Sequence, residues 1–402
     1  MLFRKDRPIL PLEAPCAVPH LGIPITNSTV DVRIINTTSY QRTKTANLYG
    51  KPVNGHENLC FPSYSFLITN KRQNVHILFD LGMRKDWRKS CPPELEQYIS
   101  DHDPRAHLQV SVDTDVPDIL DTDLGELGIT SQQISAVVWS HHHFDHRGDM
   151  SRFPPWTRLI VGPGLIKTYS KELRRSDVSN REVIELTNPE FEFTVGGFPA
   201  HDAFGDGSLY ILHCPGHTVG HLAALARVTS SPHSTYVLLG GDCAHHCGEF
   251  RPSPYTPLPQ QIAFKGSSTG IWSFDRKFNN IPSMPSSPTF QTRKPMICAG
   301  EYIRDVVHPT KSAITSFYEA PPEPVVHSHK DACESLSKLE LFDADDDVLV
   351  CISHDPALLS VLPFYPSTIN EWHKKRYKQR LRWEFLNDFD LEDKIYATGR
   401  RL

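Results

Sequence analysis

Histidine and acidic side chains are concentrated at residues 141–146, which read His-His-His-Phe-Asp-His. In an extended backbone alternate side chains point to the same side, so the imidazoles of His141 and His143 can share one metal ion. A turn after His143 can bring Asp145 and His146 to a neighbouring position, and a carboxylate with an imidazole suits a second ion. The pattern predicts metal binding, against the alternative of a chance, tag-like histidine cluster.

Three later segments repeat this arrangement, in which an apolar, strand-like run ends in a potential ligand. The apolar runs span residues 209–212, 236–239 and 348–352, and the candidate ligands that follow them are His217, Asp242 and His354. Two glycines precede Asp242 and allow close backbone approach, and its carboxylate could bridge two cations. Because four separate segments end in ligands, a chance cluster is disfavoured.

The residues ahead of these ligands have the alternation or the unbroken apolar character of β-strands. Strand-like runs begin at Thr29 and span residues 65–69, 75–80 and 134–140. Apolar residues near helical spacing predict a helix within 113–134, and Thr130 followed by Gln133 predicts a capping box. The ligands are therefore expected at strand ends.

Composition and charge exclude several classes of protein. The chain has 402 residues, 39% hydrophobic and 22% charged, which is ordinary for a folded protein with a large core. A formal net charge of -5 offers no basic face for nucleic acid, and no stretch approaches the ~20 apolar residues of a membrane span. Nine cysteines without a credible secretory signal favour reduced thiols and a cytoplasmic location. The expected partner is a small-molecule substrate.

The order of these motifs resembles the metallo-β-lactamase superfamily. The motifs are His-x-His-x-Asp-His, then Pro-Gly-His, then Gly-Asp after a strand, then a late histidine, and they cover roughly residues 30–250 and 345–365. Asp80 and Gly82 also match an early Asp-x-Gly that supports the site in many members. The resemblance implies an α/β (α+β) fold, a four-layered αββα sandwich, and points to the lactonase and glyoxalase II-like branch, of filamentous-fungal type.

The resemblance also implies a role for each candidate ligand. His141, His143 and His217 would hold one zinc ion, Asp145, His146 and His354 would hold the other, and Asp242 would bridge them. Two Zn²⁺ ions are thus the expected cofactors, with iron or manganese as alternatives. A carboxylate at Asp242 is similar to the lactonase, glyoxalase II and thioesterase branches, whereas a thiolate belongs to the sites of β-lactamases.

The expected activity is hydrolysis of a small cyclic ester or amide, a lactone or a lactam. A hydroxide held between two cations would attack the carbonyl carbon. The resemblance to fungal members implies a place in secondary metabolism or in degradation of foreign compounds. The alternatives are a thioesterase of glyoxalase II or acyl-carrier type and a non-catalytic protein that metal stabilises.

Further histidines lie close to the motifs. His245 stands three residues after Asp242, where some lactonase relatives carry a substrate-contacting tyrosine, so His245 and Asp145 are the expected catalytic residues. A supporting or surface position is the alternative for His245 and His246. Packing, support of the fold and loop solvation are expected for the remaining histidines considered, which are His213, His221, His327 and His329.

Three regions are expected along the chain: an N-terminal arm at 1–28, a catalytic domain at 29–365 with a proline-rich insertion at about 250–345, and a C-terminal amphipathic helix and tail at 366–402. In the last region Tyr377, Leu381 and Phe385 recur every fourth position among lysines and arginines. This spacing predicts an apolar stripe opposite a solvated basic face.

Overall fold

Two six-stranded β-sheets pack face to face in the computed structural model of the chain. The structure describes residues 10–51, 55–89, 99–100, 108–122, 127–230, 232–264 and 296–389. The outermost parts of the predicted arm and tail, and the middle of the predicted insertion, lie outside the described residues.

The first sheet is mixed and carries the first ligand motif at the end of a central strand. In spatial order its strands are β1 (Asp31–Ile35), β4 (Ser65–Asn70), β5 (Val75–Phe79), β8 (Ile134–Val138), β9 (Arg158–Val161) and β10 (Val183–Glu185). β1, β4 and β5 pair antiparallel, whereas β5, β8, β9 and β10 run parallel. The strands predicted from the runs at 65–69, 75–80 and 134–140 are confirmed.

The second sheet is antiparallel except at one edge. Its strands are β11 (Phe193–Val195), β12 (Phe198–Asp202), β13 (Leu209–His213), β14 (Leu222–Thr229), β15 (Thr235–Leu239) and β18 (Val348–Cys351). β15 and β18 run parallel, so their carboxyl ends lie side by side and the loops that follow them leave the sheet at the same end.

Two smaller sheets contain the remaining described strands. A four-stranded sheet contains β3 (Asn58–Pro62), β2 (Tyr40–Lys44), β7 (Leu108–Ser111) and β6 (Ile99–Ser100), and a hairpin contains β16 (Gln261–Phe264) and β17 (Met296–Ala299). The four-stranded sheet matters for the site, because β2 and the loop after β3 supply two side chains that contact a candidate ligand.

Alternate residues of the central strands enter different apolar layers. Phe66 and Ile68 of β4 face the layer between the sheets, whereas Leu67 belongs to the layer on the outer face. In β13, Ile211 faces the inner layer and Leu212 faces a third layer on the outer side of the second sheet. A strand buried on both faces needs a covering layer on each side, which gives the αββα order.

Helices and helical turns cover the outer faces. The α-helices are α1 (Thr45–Tyr49), α2 (Val116–Thr122), α3 (Phe144–Arg147), α4 (Leu165–Thr168), α5 (Arg175–Val178), α6 (Gly300–Tyr302), α7 (His329–Ala344), α8 (Leu358–Val361) and α9 (Tyr377–Leu381). α2 is the helix predicted within 113–134, and the capping box of Thr130 and Gln133 is present at the next helical turn.

The last part of the predicted insertion folds as a helix that packs on the second sheet. α7 is the longest described helix, and its residues Leu336, Leu339 and Phe342 pack in the outer layer of the second sheet. The sequence permits this because no proline occurs between Pro324 and Pro356. This stretch is part of the sandwich.

The C-terminal basic face is not wholly solvated, contrary to the prediction. Tyr377 and Leu381 pack in the layer between the sheets, and Phe385 packs in the outer layer. Lys378 is only 2% exposed, because its Nζ donates hydrogen bonds to the carbonyl oxygens of Asp345 and Val348. The helix is also short, since a 3₁₀ turn at Glu384–Asp388 follows α9.

Within the described ranges, no helix is both long enough and apolar enough to cross a lipid bilayer.

Candidate metal centre

The four ligand segments meet at one end of the two sheets. His141 to His146 follow β8, Asp242 follows β15 and His354 follows β18, all three at the carboxyl ends of strands with parallel neighbours. His217 lies in the loop between β13 and β14. Backbone hydrogen bonds join these loops: Ser353 N donates to Gly241 O over 3.1 Å.

The first group of candidate ligands contains His141, His143, His217 and Asp242, each with one ligand atom within 4.8 Å of the others. His217 Nε2 lies 3.0 Å from His143 Nδ1 and 3.2 Å from His141 Nε2. Asp242 Oδ2 lies 3.4 Å from His217 Nε2 and 3.7 Å from His141 Nε2. Three ring nitrogens and one carboxylate oxygen thus converge on one point.

The second group contains Asp145, His146 and His354, again within 4.8 Å of one another. Asp145 Oδ2 lies 3.5 Å from His146 Nε2 and 3.6 Å from His354 Nε2. Asp242 also reaches this group, because its Oδ1 lies 3.2 Å from His146 Nε2 and its Oδ2 lies 3.1 Å from His354 Nε2. Asp242 therefore stands between the two groups.

The donor set fits a pair of divalent cations. Ligands about 2.1 Å from a tetrahedral Zn²⁺ lie about 3.4 Å apart, and the spacings within both groups are close to that value. His146 Nε2 and Asp242 Oδ1 are buried and lie 3.2 Å apart, but among the described residues neither atom makes a hydrogen bond. Buried polar atoms without partners need an explanation, and a bound cation at each would supply one.

Burial keeps the rings of the first group neutral. It lowers the pKa of His141 and of His217 well below the usual value for histidine, and it lowers the pKa of His143 to about 4. A neutral imidazole has a free lone pair for a cation, so these rings are ready to bind near pH 7.

The second group carries a proton in the absence of a cation. Burial opposes charge on His146, but the carboxylates of Asp242, Asp145 and Asp80 outweigh it and raise the pKa of His146 well above its usual value. Burial likewise opposes ionisation of Asp145, and the neighbouring His146 outweighs it and lowers the pKa of this carboxyl. A cation would replace the proton shared by these groups.

Asp80 orients both ligand groups, as the Asp-x-Gly resemblance implies. It accepts hydrogen bonds from Ser140 N over 2.6 Å and Ser140 Oγ over 2.7 Å, and its Oδ2 lies 2.9 Å from His146 Nδ1. Ser140 Oγ also lies 3.0 Å from His141 Nδ1. Partners on the far nitrogen of a ligand histidine fix the ring and its tautomer.

Two residues that the sequence motifs do not reveal hold Asp145. Gln41 Nε2 and Ser63 Oγ both donate to Asp145 Oδ2, the latter over 3.0 Å, and Gln41 Nε2 also lies 3.2 Å from Ser63 Oγ. Their separation in sequence from Asp145 is 104 and 82 residues. No local pattern signals such a contact, since it depends on where the four-stranded sheet docks.

The other histidines have distinct positions. His142 points away from the ligands and stacks on Tyr169 with ring centroids 3.4 Å apart. His221 is buried, accepts a hydrogen bond from Asp242 N over 3.0 Å and pairs with Cys214 O through its other nitrogen. His213 packs against Phe191.

His327 and His329 of the insertion lie outside both ligand groups. His327 joins the ligand loop only through its backbone, where its N donates to His217 O over 2.9 Å. His329 Nδ1 lies 3.1 Å from Pro321 O. Neither belongs to a described group of candidate metal ligands.

His245 lies beside both groups without joining either. Its ring centroid is 4.7 Å from that of His217 and 6.0 Å from that of His354, and its Nε2 is 3.7 Å from Asp242 Oδ2. Its side chain is 10% exposed. The adjacent His246 turns the other way and places its Nε2 3.2 Å from Asp388 Oδ2.

Comparison with known proteins agrees with this fold. Residues 59–224 match the metallo-beta-lactamase superfamily. The metallo-hydrolase mfmC of Annulohypoxylon moriforme is 38% identical over 379 residues, which cover 92% of this chain and 90% of that protein. The gamma-lactamase FDB1 of Fusarium pseudograminearum is 37% identical over 397 residues, which cover 95% of this chain and 88% of that protein.

A solved structure shares the fold at low sequence identity. It is an N-acyl homoserine lactone hydrolase with the product N-hexanoyl-L-homoserine bound at its catalytic metal center, and it aligns with a TM-score of 0.51 and 14% identity over 85% of this chain and all 100% of that one. The chain belongs to the metallo-beta-lactamase superfamily. It is a metal-dependent hydrolase with the sandwich fold of that superfamily.

Proposed function

We propose that this hydrolase opens a small cyclic amide or ester, a lactam or a lactone, with two zinc ions bound by the two ligand groups. The observation that carries the proposal is Asp242, whose two carboxylate oxygens face three histidines of one group and two residues of the other. Fungal relatives named gamma-lactamase support the lactam class, including the MBL2 protein of Gibberella moniliformis, which is 39% identical over 274 residues.

Individual residues of the chain would have separate roles in the hydrolysis. When bound, two divalent cations lower the pKa of a water molecule toward ~7 and polarise a carbonyl group. Asp145 is held by Gln41 and Ser63 and is ionised near neutral pH, so its carboxylate can accept a hydrogen bond from the attacking water and orient it.

His245 would contact the substrate. Its Nε2 faces Asp242 at the edge of the site, where it can donate a hydrogen bond to the oxygen of the scissile carbonyl group. No side-chain nucleophile is required. A cytoplasmic location remains a prediction that rests on the cysteine pattern.

A substrate panel combined with metal analysis tests the proposal. The zinc-loaded chain is assayed against γ-lactams, lactones and thioesters with matched acyl groups, while bound zinc is counted by mass spectrometry. We expect about two zinc ions per chain and turnover of a lactam or lactone. Asp145→Ala and Asp242→Ala should each lower turnover by about a hundredfold or more, because each removes a ligand and the site's negative charge.

The matched control is Asp118→Ala, which removes a half-exposed carboxylate paired with Arg152 at the surface. It should leave zinc content and turnover unchanged. Undiminished turnover in Asp145→Ala or Asp242→Ala, or activity that survives full chelation, contradicts the proposed site. Faster hydrolysis of thioesters than of any lactam or lactone favours the thioesterase alternative.

A further inference from the structure

A buried carboxylate lies directly behind His245. Glu249 is 3% exposed, and its Oε1 accepts hydrogen bonds from the backbone N of His245 over 2.7 Å and of His246 over 3.1 Å. The same oxygen lies 3.7 Å from His245 Nδ1. The Nε2 atom on the other side of the ring faces Asp242.

The Nδ1 atom of His245 is an unsatisfied polar atom in this arrangement. It is buried and has no hydrogen-bond partner among the described residues, and 3.7 Å is too long for a hydrogen bond. Hydrogen bonds of catalytic groups are often long in unliganded structures, so this distance does not exclude the pairing. Glu249 is the carboxylate placed to accept a hydrogen bond from this nitrogen.

Tyr49 also holds Glu249, through the same carboxylate oxygen. Its hydroxyl donates to Glu249 Oε1 over 2.7 Å, and its ring stacks on Tyr318 with centroids 4.2 Å apart. Burial, reinforced by Glu249, raises the pKa of Tyr49 well above its usual value, so the hydroxyl stays a donor. The carboxylate is therefore held in place by a rigid aromatic pair.

The contacts of His246 show that this arrangement is specific to His245. His246 is the next residue and also faces a carboxylate, but its ring pairs with Asp388 and stands against His56 and Phe385. Its Nδ1 accepts a hydrogen bond from Gly248 N over 3.0 Å. Of these two neighbouring histidine–carboxylate pairs, one faces the metal centre and the other supports the fold.

We propose that Glu249, held by Tyr49, is a positioning residue that binds Nδ1 of His245 and so directs Nε2 at the substrate carbonyl oxygen. This inference rests on the proposed function, since it assigns the residues behind the group that contacts substrate. A carboxylate on one nitrogen fixes the orientation of an imidazole and stabilises the positive charge that the ring carries as a donor.

A double-mutant cycle tests whether Glu249 acts through His245. The four proteins are the wild type, Glu249→Gln, His245→Ala and the double variant, all loaded with zinc. We expect Glu249→Gln to lower kcat about tenfold or more, with KM little changed and zinc content unaltered. In the His245→Ala background the same change should have no further effect, because the ring it positions is gone.

Two single variants are measured beside the double-mutant cycle, one as a weaker perturbation and one as a control. Tyr49→Phe should lower kcat by a smaller factor, since it loosens the carboxylate without removing it. Asp388→Asn is the matched control, because it alters the partly buried carboxylate that faces His246, and its kcat should equal that of the wild type. An equal loss from Glu249→Gln in both His245 backgrounds, or an equal loss in Asp388→Asn, overturns the inference.

A spectroscopic measurement separates this inference from the proposed activity. In ¹⁵N-histidine-labelled protein, the ring signals of His245 are assigned by their absence in His245→Ala. We expect a proton on Nδ1 in the wild type and in Asp388→Asn, and a changed ring signal in Glu249→Gln. The measurement needs no turnover, so it tests the pairing of Glu249 with His245 even if lactams and lactones prove not to be substrates. An unchanged His245 signal in Glu249→Gln overturns the inference.

Discussion

Several candidate ligands are held by a partner that is not itself a ligand. Asp80 holds His146 directly and His141 through Ser140, while His354 Nδ1 pairs with the carbonyl oxygen of Pro62 over 2.6 Å. Such partners fix which nitrogen of each ring faces the centre. The fold therefore orients His141, His146 and His354 before any cation binds.

Replacing Asp80 by asparagine should weaken metal binding. An amide lacks the carboxylate oxygen that faces His146 Nδ1 and accepts a hydrogen bond from Ser140 Oγ. We expect Asp80→Asn to lower zinc affinity about tenfold to a hundredfold, measured by competition with a chromophoric chelator.

The chain offers a close control for this change. Asp121 also accepts hydrogen bonds from the backbone N and the Oγ of one serine, Ser131, but it touches no candidate ligand. Asp121→Asn should leave zinc affinity unchanged. Equal affinities of Asp80→Asn and the wild type would show that Asp80 does not support the ligands.

At the scale of elements, strand ends explain how separate segments reach one site. β15 and β18 are parallel neighbours, so Asp242 and His354 leave the second sheet at the same edge. β8 ends at the corresponding edge of the first sheet and delivers His141 to His146. These ligands could be predicted from sequence because apolar strand and ligand are adjacent along the chain.

Contacts across elements could not be predicted in the same way. Gln41 and Ser63 reach Asp145 only because the four-stranded sheet docks against the ligand loop. Glu249 was also missed, although it stands four residues after His245, a spacing that places side chains near one another in a helical turn. That spacing was a usable local signal, whereas Gln41 and Ser63 had none.

The burial of Lys378 in α9 predicts how the free energy of unfolding depends on pH. Burial lowers the pKa of Lys378 to about 7, while in the unfolded chain a lysine titrates near its usual value of about 10.4. Between these values the unfolded state binds more protons, so the contribution of Lys378 to the free energy of unfolding rises with pH. Below about pH 7 the cost of burying its charge is present in full.

Comparison with Lys378→Met measures this effect. Urea unfolding from pH 7 to pH 10 should show the wild type gaining stability relative to the variant, by at most about 1.4 kcal/mol per pH unit. A difference in unfolding free energy that stays constant with pH would mean that Lys378 is not charged differently in the two states.

At the scale of the whole molecule, two sheets and three apolar layers bring distant segments together at one end of the sandwich. The fold class followed from the order of motifs, since that order belongs to one superfamily. The packing of α7 did not, because the composition of the insertion does not show that the apolar face of this helix covers the second sheet. Proline content indicates where helices break, but it does not show which later segment returns to the core.

Anomalous diffraction from crystals of the zinc-loaded chain, recorded on both sides of the zinc edge, tests the central claim most directly. We expect two peaks about 3.5–4 Å apart, one against His141, His143 and His217 and one against Asp145, His146 and His354, with Asp242 between them. A single peak, or a peak away from either group, would contradict a two-metal centre built from these seven residues.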